Sequence, residues 1–194
     1  MKKDFNFPNK IPIFPLSNFI IFPNTTVPLN IFEPRYIRMV DDCMKGNRLI
    51  GIVQPKKTGD LKKPNLYEVG CVGKITSFNE TEDGRYLITL NGICRYKIIG
   101  ELTNDRLYRE CKINFDNYIN DLITNKEKEI NFSDLKFIFN DLKNLFKKKG
   151  YLINWKDLEK QILLEANTLV ERKKKIQEIL KTYTSDSFEN NTIQ

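Results

Sequence analysis

"IFPLSNFIIFPNTTVPLNIFEPRY", residues 13–36, places four prolines among runs of apolar residues. Proline fixes φ and removes a ladder donor, so within a sheet it is confined to edges, strand ends and bulges. The stretch therefore predicts short strands that turn sharply: Ile13 to Leu16, Asn18 to Phe22 and Val27 to Phe32, with Pro23-Asn24 as a turn. In the last of these, Val27, Leu29 and Ile31 share one face and Pro28, Asn30 and Phe32 the other, and the first set is the expected core face. At "EPRYIRMVDDCMKGN" the period changes from two to that of a helix. Pro34 lies near the first turn, Ile37, Val40 and Met44 share a face, and Gly46 follows the end, which predicts one short helix.

Downstream, "LIGIVQ" (49–54) predicts a buried strand, and "PKKTGDLKKPN" (55–65) a polar loop. Residues 67–102 form the most strongly β segment. Asp83-Gly84, between "KITSFN" and "RYLITL", signals a tight hairpin, because glycine supplies the positive φ such turns need. Asn91-Gly92 instead splits a single apolar run, and a bulge or sharp bend is expected there. A further strand runs from Tyr108 to Phe115, with Leu107, Cys111, Ile113 and Phe115 assigned to one face.

After Asp116 the pattern becomes helical. "SDLKFIFNDLKNLFKKKG" opens on Ser133 as N-cap and closes on Gly150, with Leu135, Ile138, Phe139, Leu142, Leu145 and Phe146 at helical spacing. A second helical region starts at Trp155 and contains Thr168-x-x-Glu171, a capping box in mid-run, which predicts a break near Asn167. The segment "SDSFENNTIQ" has no periodicity and is expected to be a mobile tail.

Composition narrows the function classes. With 194 residues, 40% hydrophobic and 29% charged, the chain reads as a globular protein of one domain with an appendage. No apolar stretch follows Lys2-Lys3 and no run is long enough to span a bilayer, so a cytoplasmic location without membrane contact is expected. The sequence has no histidine, which removes the commonest general base and the usual nucleophile pairs and metal triads. Cys43, Cys71, Cys94 and Cys111 form no C-x-x-C pair, and free buried thiols are the expectation; neither a metal nor a cofactor is implied. Residues 1–115 hold eighteen Lys and Arg against twelve Asp and Glu, whereas residues 116–194 hold fourteen against thirteen. The basic excess is dispersed. "KKKG" at 147–150 reads as a helix end that complements the dipole.

A mostly β domain of about seven strands with one early helix, followed by helices, resembles the N-terminal substrate-binding domain of Lon protease. The pieces that carry the resemblance are "IPIFPLSNFIIFPNTTVPL", "FEPRY", "LYEVGCVGKI", "DGRYLITLNGICRYKI" and "EKQILLEA", in that order over residues 11–182. The "FEPRY" variant is similar to stand-alone bacterial members and to the related domain of cereblon. Asn24 stands where the family commonly has glycine, and asparagine also tolerates left-handed geometry. Trp155 runs almost directly into Glu159-Lys-Gln, where stand-alone relatives usually carry another helical stretch.

The resemblance implies an α+β fold: a PUA-like pseudo-barrel with one short helix over residues 11–115, a helical subdomain over 116–182 and a flexible tail over 183–194. It implies a non-catalytic module that binds unfolded or misfolded polypeptide in protein quality control, with a protease or chaperone as further partner. The Lon engine needs a phosphate loop and a Ser-Lys pair; "GCVGKI" (70–75) has the wrong glycine spacing, and Ile75 where a hydroxyl should be, so its glycines read as bends in a strand. Phe22, Phe32, Arg35 and Tyr36 are the candidate substrate-binding residues on an outward surface. Packing of Phe22 and Phe32 beneath helices is the alternative. Two other function classes compete. A PUA-like RNA-binding module would use the basic balance of the β part, although no continuous basic-aromatic stripe supports it and nucleic acid is not the expected partner. An enzyme could use Glu80, Glu82 or Asp83, which a hairpin tip explains as exposed turn residues.

Overall fold

The computed structural model describes residues 7–60, 63–123, 140 and 156–189. The chain divides into two compact units, residues 1–124 and 125–194. The first contains β1 (Lys10–Pro15), β2 (Thr26–Ile31), α1 (Pro34–Met44), β3 (Leu49–Val53), β4 (Pro55–Asp60), β5 (Lys63–Leu66), β6 (Val69–Glu80), β7 (Tyr86–Glu101), β8 (Arg109–Asn114) and a 3-10 helix (Asp116–Leu122). Mostly strands with a few helices, the molecule is α+β.

Six strands pair in the order β2-β7-β6-β3-β1-β8, and β8 also pairs with β7, which closes β1, β3, β6, β7 and β8 into a barrel. All of these pairings are antiparallel except β1 with β3. Closure removes the edges that an open sheet would expose. Ile11, Ile13, Ile50, Ile52, Val72 and Leu90 are all buried, as is every residue of β3. Tyr96 is fully buried and its hydroxyl donates to the Ile52 carbonyl at 3.2 Å. Gly51 and Gly70 make room for that ring, since a Cβ on either would approach the Tyr96 oxygen to 2.7 or 2.4 Å. "GCVGKI" thus lies within β6 as strand, with Gly70 serving the packing of a tyrosine.

Each long strand of the β6–β7 hairpin is bent by a register shift. Val72 opposes Cys94 while Gly73 opposes Gly92, so Ile93 is the extra residue of a bulge beside Asn91-Gly92, as the sequence predicts. Gly84 carries the positive φ of the tip, 77°. The bulge has a function in the fold: a Cβ on Gly92 would lie 2.1 Å from the Phe22 carbonyl oxygen, because the 16–25 segment seats there. Asn24 N–H donates to the Gly92 carbonyl at 2.9 Å and Gly92 N–H to the Thr25 carbonyl at 2.8 Å.

Several expectations are corrected. Asn18 to Phe22 is not a strand: Asn18 and Asn24 are left-handed, φ 60° and 63°, and the segment is a loop tied to β7. Residues 55–60 and 63–66 pair as the β4–β5 hairpin in place of a plain loop; its exposed, polar strands bury little, so composition concealed it. In α1 the buried stripe is Tyr36, Met39, Val40 and Cys43, which keeps Val40 of the expected face but not Ile37 or Met44. The helix still starts with Pro34 in its first turn, as anticipated. Leu107 does not share the buried face of β8: it precedes the strand and is 69% exposed.

The second unit contains α2 (Asp157–Glu165) and α3 (Leu169–Glu189). They part at residues 166–168, where the Thr168 hydroxyl accepts the Glu171 N–H at 3.1 Å and the Glu171 carboxylate accepts the Asn167 N–H at 2.9 Å. The predicted break is therefore present, and local hydrogen bonding makes it. Within this unit the Tyr183 hydroxyl donates to Glu159 at 2.8 Å. Helix α3 continues through residues 183–189, expected as tail, while 190–194 lie outside the described residues. The helix expected from Ser133 to Gly150 and Trp155 also lie outside them, apart from Asn140, which is helical. Among the described residues no helix is long and apolar enough to cross a membrane.

Candidate functional site

The end of β2, the start of α1, the turn after β1, the β4–β5 hairpin and residues 107–109 surround a groove of about 430 Å³ in the first unit. Its floor is aromatic. Phe14 and Tyr36 pack with ring centroids 4.2 Å apart, and Pro15, Leu16 and Ile31 extend the apolar surface. Two large apolar side chains rise from the rim, Phe32, 62% exposed, and Leu107. Exposed apolar groups grouped around a concave surface are an interaction signal, unlike scattered ones.

Sharp turns place these groups. Strand β2 ends at Ile31 and α1 begins at Pro34, so Phe32 sits on a two-residue corner that cannot carry it into the core. Arg35 reaches back to Glu33, with Nη2 at 2.7 Å and Nε at 2.9 Å from Oε2, and its guanidinium lies 4.6 Å from the Tyr36 ring centre. Burial pushes the Tyr36 phenol above its ordinary value, with the Arg35 charge pulling the other way. On the opposite side Arg109 clamps Glu101 through Nη2 at 2.7 Å and Nε at 3.0 Å, and donates Nη1 to the Pro64 carbonyl at 2.8 Å. Lys63 meets the same carboxylate at 3.0 Å. The Tyr108 hydroxyl donates to Asp42 of α1 at 2.9 Å, which ties the 105–109 segment to the helix. Burial is the largest cause that lifts the Tyr108 phenol to about 12.

Of the four residues predicted from sequence, Phe32, Arg35 and Tyr36 line this groove together. Tyr36 is not outward, however: it is buried and forms the floor, because the helix start turns its ring toward Phe14. Phe22 does not line the groove; it is half-buried in the loop seated on Gly92. Sequence reasoning missed Phe14, Lys63, Leu107, Tyr108 and Arg109. Leu107-Tyr108 within "NDRLYRE" left one usable signal, an apolar pair framed by charges just before a strand.

Chemistry elsewhere is muted. All four cysteines are free and buried. Burial pushes the Cys43 and Cys94 thiols to about 12 and Cys111 to about 11, far from a reactive thiolate. Asp83 binds Thr81 and Arg85 at the hairpin tip, and its hydrogen bond from Thr81 holds it below the usual carboxylate range. Among the described residues, no three His, Cys, Asp or Glu side chains converge to hold a metal.

The family profile of the ATP-dependent protease La (LON) substrate-binding domain matches residues 10–159, most of the chain and all of the groove. The chain belongs to the LON substrate-binding domain family. Relatives include the Lon protease of Dictyoglomus thermophilum, 27% identical over 166 residues, which span 84% of this chain and 19% of that protein. The Lon protease of Cytophaga hutchinsonii is 30% identical over 123 residues, 62% of this chain and 15% of the relative. The match with these large proteins is thus confined to a small part of their length. A solved Lon N-terminal domain protein from Xanthomonas campestris superimposes with a TM-score of 0.62 at 17% identity, covering 89% of this chain and 97% of that one. The N-terminal domain of Mycobacterium avium complex Lon protease gives 0.57 at 14%, covering 91% and 98%. At these identities the solved structures establish the LON N-terminal fold. Membership in the family supports a substrate-binding module.

Proposed function

We propose that this LON-family domain binds unfolded or misfolded polypeptide reversibly and without nucleotide, holding exposed apolar side chains in the groove between Phe32, Tyr36 and Leu107. The observation that carries the reading is the pairing of an aromatic floor with two rim residues, Phe32 and Leu107, that are left more than half exposed. Strand β2 adds to it. Among the described residues β2 pairs only with β7, which makes it the place where an extended segment would join the sheet, although Pro28 withholds one donor there. The module is non-catalytic and serves protein quality control in the cytoplasm, passing its clients to a protease or chaperone. Buried thiols that resist ionisation and the hairpin-tip position of Asp83 agree with a non-catalytic module.

Ordering a disordered client offsets much of the contact energy, so the affinity is modest. Because apolar burial dominates, salt changes the shared affinity little. The test is fluorescence anisotropy with a denatured, thiol-blocked polypeptide and with single-stranded RNA, each at low and high salt. The expected result is binding of the polypeptide that weakens about tenfold on Phe32→Ala, the loss typical of an aromatic side chain that becomes buried on binding. Tight RNA binding that falls steeply with salt, with no enrichment for apolar segments on a peptide array, would replace this reading with an RNA module.

A further inference from the structure

The charged groups of the groove are unequal in number. Arg35, Lys63 and Arg109 line it, against a single carboxylate, Glu33. Arg35 and Glu33 are matched one to one. Lys63 and Arg109 must share Glu101, which stands behind the wall. Asp60, opposite Lys63 in the β4–β5 register, does not line the cavity. The two sharing cations also differ in what they have left to offer. Arg109 spends Nε and both terminal nitrogens on Glu101 and the Pro64 carbonyl. Lys63 makes one ion pair, at 3.0 Å, and its side chain is 64% exposed, so an ammonium with donors left over lines the groove.

We infer that the groove selects polypeptide segments in which an apolar side chain is flanked by aspartate or glutamate, and that Lys63 is the residue that makes the selection. This rests on the polypeptide-binding reading above. The apolar side chain fills the space between Phe32, Tyr36 and Leu107, and the neighbouring carboxylate meets the surplus cation at the hairpin wall. Only one partly exposed charge pair is added, so the preference is a graded bias laid over a shared apolar affinity. It gives the domain a way to distinguish acidic apolar segments from basic ones of equal hydrophobicity.

The experiment uses the full chain and three labelled peptides of equal length, each with two phenylalanines in a Gly-Ser background, flanked by Asp, by Ser or by Lys. A fourth peptide replaces the phenylalanines of the Asp series by serine. Anisotropy at low salt is expected to rank Asp above Ser above Lys, with about a two- to fivefold gap between the extremes. High salt should compress the gap while leaving the Ser-flanked peptide nearly unchanged. Lys63→Glu should cancel or invert the order, with only a small fall in melting temperature from the new repulsion with Glu101, since the Lys63 side chain is 64% exposed. Equal binding of the three phenylalanine peptides, or an order that survives Lys63→Glu, overturns the inference while the polypeptide reading stands. If the serine-only peptide binds as well as its phenylalanine parent, or no peptide binds, the groove reading itself fails and the inference falls with it.

Discussion

Of the arginines in the barrel unit that lie over a tyrosine ring beside a carboxylate, Arg95 and Arg35 are made opposites by their environment. Arg95 sits 4.5 Å from the Tyr118 ring centre and Arg35 4.6 Å from that of Tyr36. Around Arg95 the solvent is gone: its side chain is 4% exposed and that of Asp121 11%, and Asp121 accepts from Arg95 Nε, Nη2 and backbone N–H at 2.8 to 3.0 Å. Around Arg35 the water remains, with 48% exposure for the arginine and 43% for Glu33. The local chemistry is almost the same. Desolvation converts the first into a fixed strut that holds the 3-10 helix to β7, whereas the second keeps a rim cation that can exchange partners.

This contrast can be broken most sharply at the strut. Asp121→Ala takes the carboxylate away from the buried Arg95 guanidinium, and should cost about 3–5 kcal/mol in urea denaturation. A loss under about 1 kcal/mol would mean that the buried pair is no more structural than the rim pair.

A next smaller effect is expected where backbone, rather than charge, is buried. Gly92→Ala puts a methyl against the Phe22 carbonyl and should destabilise by about 1–3 kcal/mol. Gly100→Ala, with nothing within 4 Å of its Cβ position, serves as the exposed counterpart and should change little.

In the second unit the cap offers an exposed polar network for comparison. Thr168→Ala should cost about 1 kcal/mol. Hydrogen bonding from Asn167 holds the Glu171 carboxyl below its ordinary value of 4.5. Its contribution is therefore present above that value and lost as pH falls through the lower folded value. The acid limb of a stability titration should be shallower in Glu171→Gln. An unchanged limb would remove Glu171 from the cap.

The smallest effect belongs to the rim. Arg35→Ala should shift stability by less than about 1 kcal/mol, since both partners are solvated. A loss as large as that of Asp121→Ala would erase the distinction between strut and rim.

Much of this arrangement was legible in the order of residues, because the signals are local. Asp83-Gly84 needed only a backbone that glycine permits, and the break before α3 needed only a threonine and a glutamate three residues apart. The bulge at Asn91-Gly92 was legible as an interruption of an apolar run. The proline-broken stretch from Ile13 to Tyr36 declared two of its three expected strands, β1 and β2, and with the hairpin region it declared the LON family.

What the tertiary structure alone decided depends on neighbours far away in the chain. Asn18 to Phe22 has the composition of a strand, yet no strand takes it, because Gly92 offers its backbone to the loop instead. Tyr36 carries a polar tip that suits a surface, yet Phe14 receives its ring and turns it into a floor. The groove itself joins residues near positions 14, 32, 63 and 107, which no spacing rule connects. Propensity and turn chemistry act over a few residues and can be read in order along the chain. Burial is a property of the closed barrel, and only closure settles which of two similar arginines becomes a strut and which remains at the water's edge.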